Sequence, residues 1–330
     1  MGLCFEHLFT SVPGFIPVPF QPPDQSRGAP WAQIINKQTM RIRAGNPDIS
    51  MTWALALIPT LALMHLCEGD RTQMPRRDVF LSEEIVLDMA PKSYDDQYRG
   101  CAEAMEAKIP QLFQNEKSLI KTFVDAWGNA SKRWISMKET TMVPPGFRDA
   151  YAIATLAYTN QYPAIYKPFG DAVRQAGQSR DFYLRYFHFK VLDFCLTRAL
   201  QMLKAVKPTI CHKVFRGTKV RFSAKIGNSV RFGQFTSSST DDRVAVAFGP
   251  DTIFIITTCH GASIEHLSFF PDEKEVLIPP YETFKVTDVR SGSGYNNITL
   301  QSVGTQSNRN CWYFKAASPR MGNQQIIPVD

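Results

Sequence analysis

At 330 residues the chain is long enough to bury a substantial core, in one large domain or two small ones. A hydrophobic content of 44% with 20% charged residues excludes wholesale disorder. The net charge of +7 is spread along the chain; no Lys/Arg run is dense enough for a nucleic-acid stripe, although a mildly basic surface suits an anionic small molecule.

Residues 1–50 are rich in Pro and Gly (VPGFIPVPFQPPDQSRGAPW) and lack periodicity. The first patterned segment is MTWALALIPTLALMHLCEG, apolar from Trp53 to Cys67 apart from Pro59, Thr60 and His65. It is too short and interrupted for a membrane span, which needs ~20 apolar residues. It reads as the apolar region of a secretory signal peptide, 51–67, with Met51 as the natural start and 1–50 as a disordered or non-native leader. A buried helix is the competing reading, and Pro59 weighs against it. The C-terminal NQQIIPVD lacks the apolar tail of a lipid-anchor signal, so a secreted product without a stable membrane anchor is expected.

Two of the seven cysteines, Cys4 and Cys67, fall in that leader region. Cys195, within the apolar FKVLDFCLTRAL, reads as a buried free thiol. Cys101, Cys211, Cys259 and Cys311 can form two disulfides in any of three pairings. Sequons at Asn129 and Asn297 fit a secretory route and a glycoprotein.

From about residue 79 to 207 apolar residues recur at spacings of three and four, which predicts helices in YRGCAEAMEAKIPQLF, KSLIKTFVDAWGNASKRWISM and FRDAYAIATLAYT. Asp181–Lys204 reads as the strongest single helix. After Pro208 the pattern changes to short β-rich runs: HKVFRG, NSVRFGQFTSSS, DTIFIITTC, EVLIPPYETFKVTDVR, YNNITLQSV and CWYFKA. Helices first and strands later predict an α+β fold, a helical half packed on an antiparallel β-sandwich over about 208–316. The change near residue 208 is a seam within one domain, 68–330, since no polar linker marks it.

Three segments in the strand-rich half carry chemistry. In VFRGT, Arg216 offers a guanidinium fork and Gly217 an approachable backbone, both suited to a phosphate-bearing ligand. In FTSSST, Ser237 and Ser239 share one strand face, where they could hold ribose hydroxyls or orient a carboxylate, while Thr240-Asp241-Asp242 resembles a helix cap. In FFPDEKEVLIPP, Glu273 and Glu275 stand two apart at the entry to an apolar strand and should project from one face, where their repulsion raises one pKa unless a cation or ligand sits between them. Taken singly, each has a bland reading: a surface ion pair, a polar strand, a solvated acidic loop. The order Arg, Ser-x-Ser, Glu-x-Glu says more than any one piece.

With their contexts (VFRGT, RFGQFTSSS, FFPDEKEVLIPPYETF) these segments resemble the vertebrate ecto-ADP-ribosyltransferases, the arginine-specific branch that also includes clostridial-type binary toxins. The resemblance runs from about Val79 to Phe314. It implies transfer of ADP-ribose from NAD (or NADP) to protein arginine by a monomer that needs no metal. It implies pairings Cys101–Cys311 and Cys211–Cys259, the latter closing a loop worth about 4 kcal/mol by the chain-entropy model. It also implies roles: Arg216 contacts NAD phosphate and Gly217 the nicotinamide amide. Ser237 holds the nicotinamide ribose and supports Glu275, the catalytic carboxylate; Glu273 engages the acceptor arginine, and Phe248 stacks on nicotinamide.

The chemistry fits the residue types. As nicotinamide leaves, positive charge develops on the ribose, and a carboxylate at ~4 Å with an effective dielectric near ~20 attracts it by about 4 kcal/mol. The acceptor guanidinium is protonated and a poor nucleophile, so a second carboxylate is needed to orient it and take its proton. An NAD glycohydrolase on the same site, a catalytically silent secreted binding protein, and an unrelated disulfide-bonded interaction domain are the competing readings. The presence of Arg216, Ser237 and the Glu273–Glu275 pair favours arginine transfer over all three.

Overall fold

The computed structural model describes residues 84–292 and 295–314, all within a compact unit spanning Arg76–Asp330. The leader 1–50, the apolar segment 51–67 and the C-terminal NQQIIPVD lie outside the described residues.

A two-residue strand β1 (Ile85–Val86) precedes seven helices: α1 (Ala102–Glu106), α2 (Ile109–Leu119), α3 (Lys121–Met137), α4 (Asp149–Thr159), α5 (Tyr166–Ala176), α6 (Arg180–Tyr186) and α7 (Lys190–Val206). The periodicity explains their packing: α3 buries Phe123, Ala126, Trp127, Ala130 and Trp134 as one stripe. The single helix expected over Asp181–Lys204 is two. Phe187 leaves the helical region, and the break is satisfied by side chains: the Glu116 carboxylate accepts from Lys190 N (2.6 Å) and Val191 N (3.1 Å), while Lys190 Nζ donates to Leu184 O and Phe187 O.

The strands follow: β2 (His212–Thr218), β3 (Phe222–Ser223), β4 (Ser229–Val230), β5 (Thr236–Ser239), then helix α8 (Asp242–Ala247), β6 (Thr252–Thr258), β7 (Ala262–Ser263), β8 (Glu275–Ile278), β9 (Glu282–Gly292) and β10 (Tyr295–Thr305). They form an eight-stranded sheet in the order β4-β9-β10-β6-β2-β5-β8-β7, with β1 and β3 paired separately. One neighbouring pair, β10–β6, is parallel, so the sheet is mixed and mostly antiparallel. The physical reason is connectivity: β7, β8 and β9 lie between them in sequence and supply the crossover that parallel neighbours require.

β2 meets β5 at the single pair Phe215↔Ser239. Val276 and Ile278 of β8 join a core with Val214, Phe254, Ile256, Phe284, Ile298 and Leu300, whereas Leu277 joins the helical core. One face of β8 therefore packs on the β2–β6 leaf and the other on the helices, which is why all four of its residues are buried.

CWYFKA, expected as a strand, is a turn over Cys311–Phe314. Its backbone bonds run to side chains instead of a ladder: Trp312 N donates to Asp96 and Trp312 O accepts from Arg180. Trp312, Tyr313 and Phe314 pack on the helical core. Among the described residues the disulfides are Cys101–Cys311 and Cys211–Cys259, and Cys195 is free and buried. The Cys101–Cys311 bridge thus ties α1 to this turn.

Candidate active site

β2, β5, α8 and β8, with the turn before β8, bring the candidate side chains to one cleft of about 860 Å³. Arg216, Gly217, Ser237, Phe248, Glu273 and Glu275 all line it. Its size lies within the range of small-molecule sites.

Gly217 makes the closest approach. A Cβ built there would lie 2.1 Å from Ala245 O and 2.6 Å from Gly249 O, so only glycine lets α8 seat against β2. Asp241 caps α8 by accepting from Arg243 N, as Thr240-Asp241-Asp242 foretold, and the helix delivers Phe248, 54% exposed, to the cleft. Arg216 Nη1 donates to Ser237 O (2.7 Å), which joins β2 to β5 beside their single paired position.

The three consecutive serines have separate tasks. Ser238 faces the opposite leaf and donates to Val276 O (2.6 Å). Ser239 donates to Glu273 O (2.7 Å) and accepts from Asp241 N (3.0 Å), fixing the turn before β8. Ser237 is left for the cleft, its Oγ 3.3 Å from Tyr158 OH. Because Ser237 pairs with Leu277 and Ser239 with Glu275, all four side chains share the helix-facing side of the leaf.

Glu273 and Glu275 do reach one cleft, though not by the alternation of one strand. Glu273 ends a single 3-10 turn, Pro271–Glu273, and Lys274 takes a left-handed conformation (φ 46°) before β8 begins at Glu275. The two acids therefore differ in setting. Glu273 is half-buried, and burial raises its pKa. Glu275 is 5% exposed, and its carboxyl is pushed up to about 7. Burial is the largest cause; the Ser237 hydrogen bond pulls back, the Glu273 charge adds to the rise, and Arg216 opposes it. Among the described residues Glu275 Oε1 has no hydrogen-bond partner, a costly state for a buried oxygen unless a ligand group supplies one.

Two cleft residues carry no clear signal in sequence. Tyr158 is one more aromatic in an apolar helix, and Phe270 is half-buried at the head of the acidic turn. Among the described residues no group of three His, Cys, Asp or Glu could hold a metal ion. A cation, a backbone without Cβ and an unsatisfied carboxylate together suit a ligand with phosphates and a group that becomes positive.

Residues 87–308 match the family model for NAD:arginine ADP-ribosyltransferase. The chain is 44% identical over 274 residues to a rabbit (Oryctolagus cuniculus) GPI-linked NAD(P)(+)--arginine ADP-ribosyltransferase 1, covering 78% of this chain and 83% of the relative. It is 38% identical over 270 residues to the ecto-ADP-ribosyltransferase 5 of cattle (Bos taurus), covering 80% and 83%. Among solved structures, the eukaryotic mono-ADP-ribosyltransferase ART2.2 superposes with a TM-score of 0.62 at 42% identity, covering 70% of this chain and 100% of that one. A variant of ART2.2 in complex with NAD gives the same TM-score at 41% identity and covers the same shares.

Proposed function

The chain belongs to the NAD:arginine ADP-ribosyltransferase family, and from that premise and the cleft we propose that it transfers ADP-ribose from NAD to arginine side chains, releasing nicotinamide. The observation that carries the assignment of roles is Glu275: buried, with one carboxylate oxygen unsatisfied, and facing the cleft. An ionised Glu275 stabilises the oxocarbenium charge as nicotinamide leaves, and its free oxygen accepts from the ribose 2′-hydroxyl. Ser237, on the same face of the neighbouring strand, lowers the pKa of this carboxylate and supports its ionised form. Arg216 takes a phosphate, Gly217 presents backbone to the nicotinamide amide, and Phe248 offers a ring at the cleft to stack on nicotinamide.

Glu273 takes the acceptor. Half-buried, with its carboxyl raised by burial, it binds the guanidinium, points one nitrogen at the anomeric carbon and takes up the proton as the C–N bond forms. Water at the same place gives NAD hydrolysis as a side reaction. The test is incubation of the purified protein with labelled NAD and agmatine or polyarginine. Labelled arginine product is expected; Glu275→Gln should abolish both transfer and nicotinamide release, and Glu273→Gln should abolish transfer while leaving hydrolysis. Intact NAD after incubation with the parent protein would favour a silent binding scaffold.

Two disulfides fit an oxidising compartment, and the enzyme acts outside the cell. The finer reading is a secreted monomeric glycoprotein, one domain over 68–330, cleaved after a 51–67 signal peptide and carrying sugar at Asn129 and Asn297. Asn129 is exposed on α3, which supports its use. Mass spectrometry of the mature protein decides this: an N-terminus upstream of residue 51, or a C-terminal lipid, overturns it.

A further inference from the structure

Tyr158 lines the cleft but has no part in the steps above. It projects from the last turn of α4, is 5% exposed, and its ring lies against Phe169 and Phe235. A phenol has one proton to donate, and this one meets two acceptors: Phe235 O at 3.2 Å and Ser237 Oγ at 3.3 Å. Ser237 also has one proton; its Oγ lies 3.3 Å from Tyr158 OH, and on the same face of the neighbouring strand stands Glu275, whose pKa the Ser237 hydroxyl lowers.

These counts allow two settings. If Tyr158 donates to Phe235 O, its oxygen is free to accept from Ser237, and Ser237 then has nothing to give Glu275. If Tyr158 donates to Ser237 Oγ, the Ser237 proton is committed to the carboxylate. An ionised Glu275 favours the second setting, because a hydrogen bond to a charged acceptor is about twice as strong as a neutral one. Resting on the arginine-transferase reading, we propose that Tyr158 is a positioning residue whose hydroxyl donates to Ser237 when Glu275 is ionised, holding the Ser237 proton on the carboxylate and leaving Glu275 Oε1 to the substrate.

Three features support the relay. Burial and the nearby Glu275 charge push the Tyr158 phenol well above its ordinary range, so it stays a donor. Arg216 holds the Ser237 carbonyl, which fixes the strand that carries the hydroxyl. Leu277 and Ser237 share the helix-facing side of the leaf, which is where α4 delivers Tyr158. The other charged groups bearing on Glu275 are Glu273, from the turn before β8, and Arg216, from β2; Tyr166 and Arg174 of α5 act on Arg216.

Tyr158→Phe keeps the ring and deletes the hydroxyl. The expected result is a fall of about tenfold in kcat for nicotinamide release with KM for NAD within about twofold. The acidic limb of the rate profile should move up by about half a pH unit, because the ionised carboxylate loses support. In a Ser237→Ala background the same change should cost nothing further. An unmoved acidic limb, or a full additional loss in that background, would assign Tyr158 to packing alone and overturn the proposal. If the parent protein releases no nicotinamide, the transferase reading fails separately. The relay is then read from urea denaturation against pH, where Tyr158→Phe must extend the Glu275 titration to higher pH; superimposable curves for the two proteins sink it.

Discussion

At the residue scale, the site stores a conflict in Glu275. Its folded pKa of about 7 lies above the ordinary 4.5, so between those values the folded protein binds more protons than the unfolded chain. The stability this provides is fully present below about pH 4.5 and is lost as pH rises through about 7, a difference on the order of 3 kcal/mol. Glu275→Gln should therefore match the parent near pH 4 and exceed it near pH 8 by up to about 3 kcal/mol in urea denaturation, while nicotinamide release disappears. In the active parent, kcat/KM should rise with pH along a limb centred near 7. The types and order of Arg216, Ser237 and Glu275 were legible in the sequence because strand ends and turns expose unusual polar residues. Tyr158 was not, because FRDAYAIATLAYT reads as a core helix whichever tyrosine turns its hydroxyl to the cleft.

At the element scale, the seating of α8 on β2 depends on Gly217. Gly217→Ala forces backbone apart at Ala245 and Gly249, and should raise KM for NAD at least ~10-fold and cost about 2 kcal/mol of stability. Gly128→Ala is the control: its Cβ meets nothing within 4 Å on α3, and it should stabilise by about 0.5–1 kcal/mol without changing kinetics. Steady-state rates and thermal melts of the two variants check this pair. Where element predictions missed, a distant partner decided. Glu116, more than seventy positions upstream, caps the start of α7 and allows the break that splits Asp181–Lys204. CWYFKA has strand-forming residues, but among the described residues Cys311–Phe314 pairs with no strand, and its aromatics settle on the helical core.

At the scale of the molecule, one buried ion pair joins segments from both ends of the described chain. Arg231 is fully buried; it donates to Met89 O, to Gln306 O and to Asp95 Oδ2 (2.5 Å), and Asp95 also accepts from Asn308 N and Arg309 N. Arg231→Met removes the guanidinium that pairs with the buried Asp95 carboxylate, and should destabilise by about 3–5 kcal/mol in urea denaturation. The Cys101–Cys311 bridge ties α1 to the same C-terminal stretch. Arg231 sits in NSVRFGQFTSSS, read as continuous strand, but the structure divides that run into β4 and β5 around Arg231 and a left-handed Gly233 (φ 69°).

What the sequence determined by itself is local or periodic: helical stripes before residue 208, alternating strands after it, a cap at Asp241, and chemically matched residue types in a set order. What tertiary structure alone decided is which groups share an environment. The parallel β10–β6 pair, the meeting of Tyr158 with Ser237, and the burial that moves Glu275 to about 7 depend on neighbours far away in the chain. A residue's type sets its charge and hydrogen-bonding capacity, whereas desolvation and partner geometry arise only when the leaves and helices close around it.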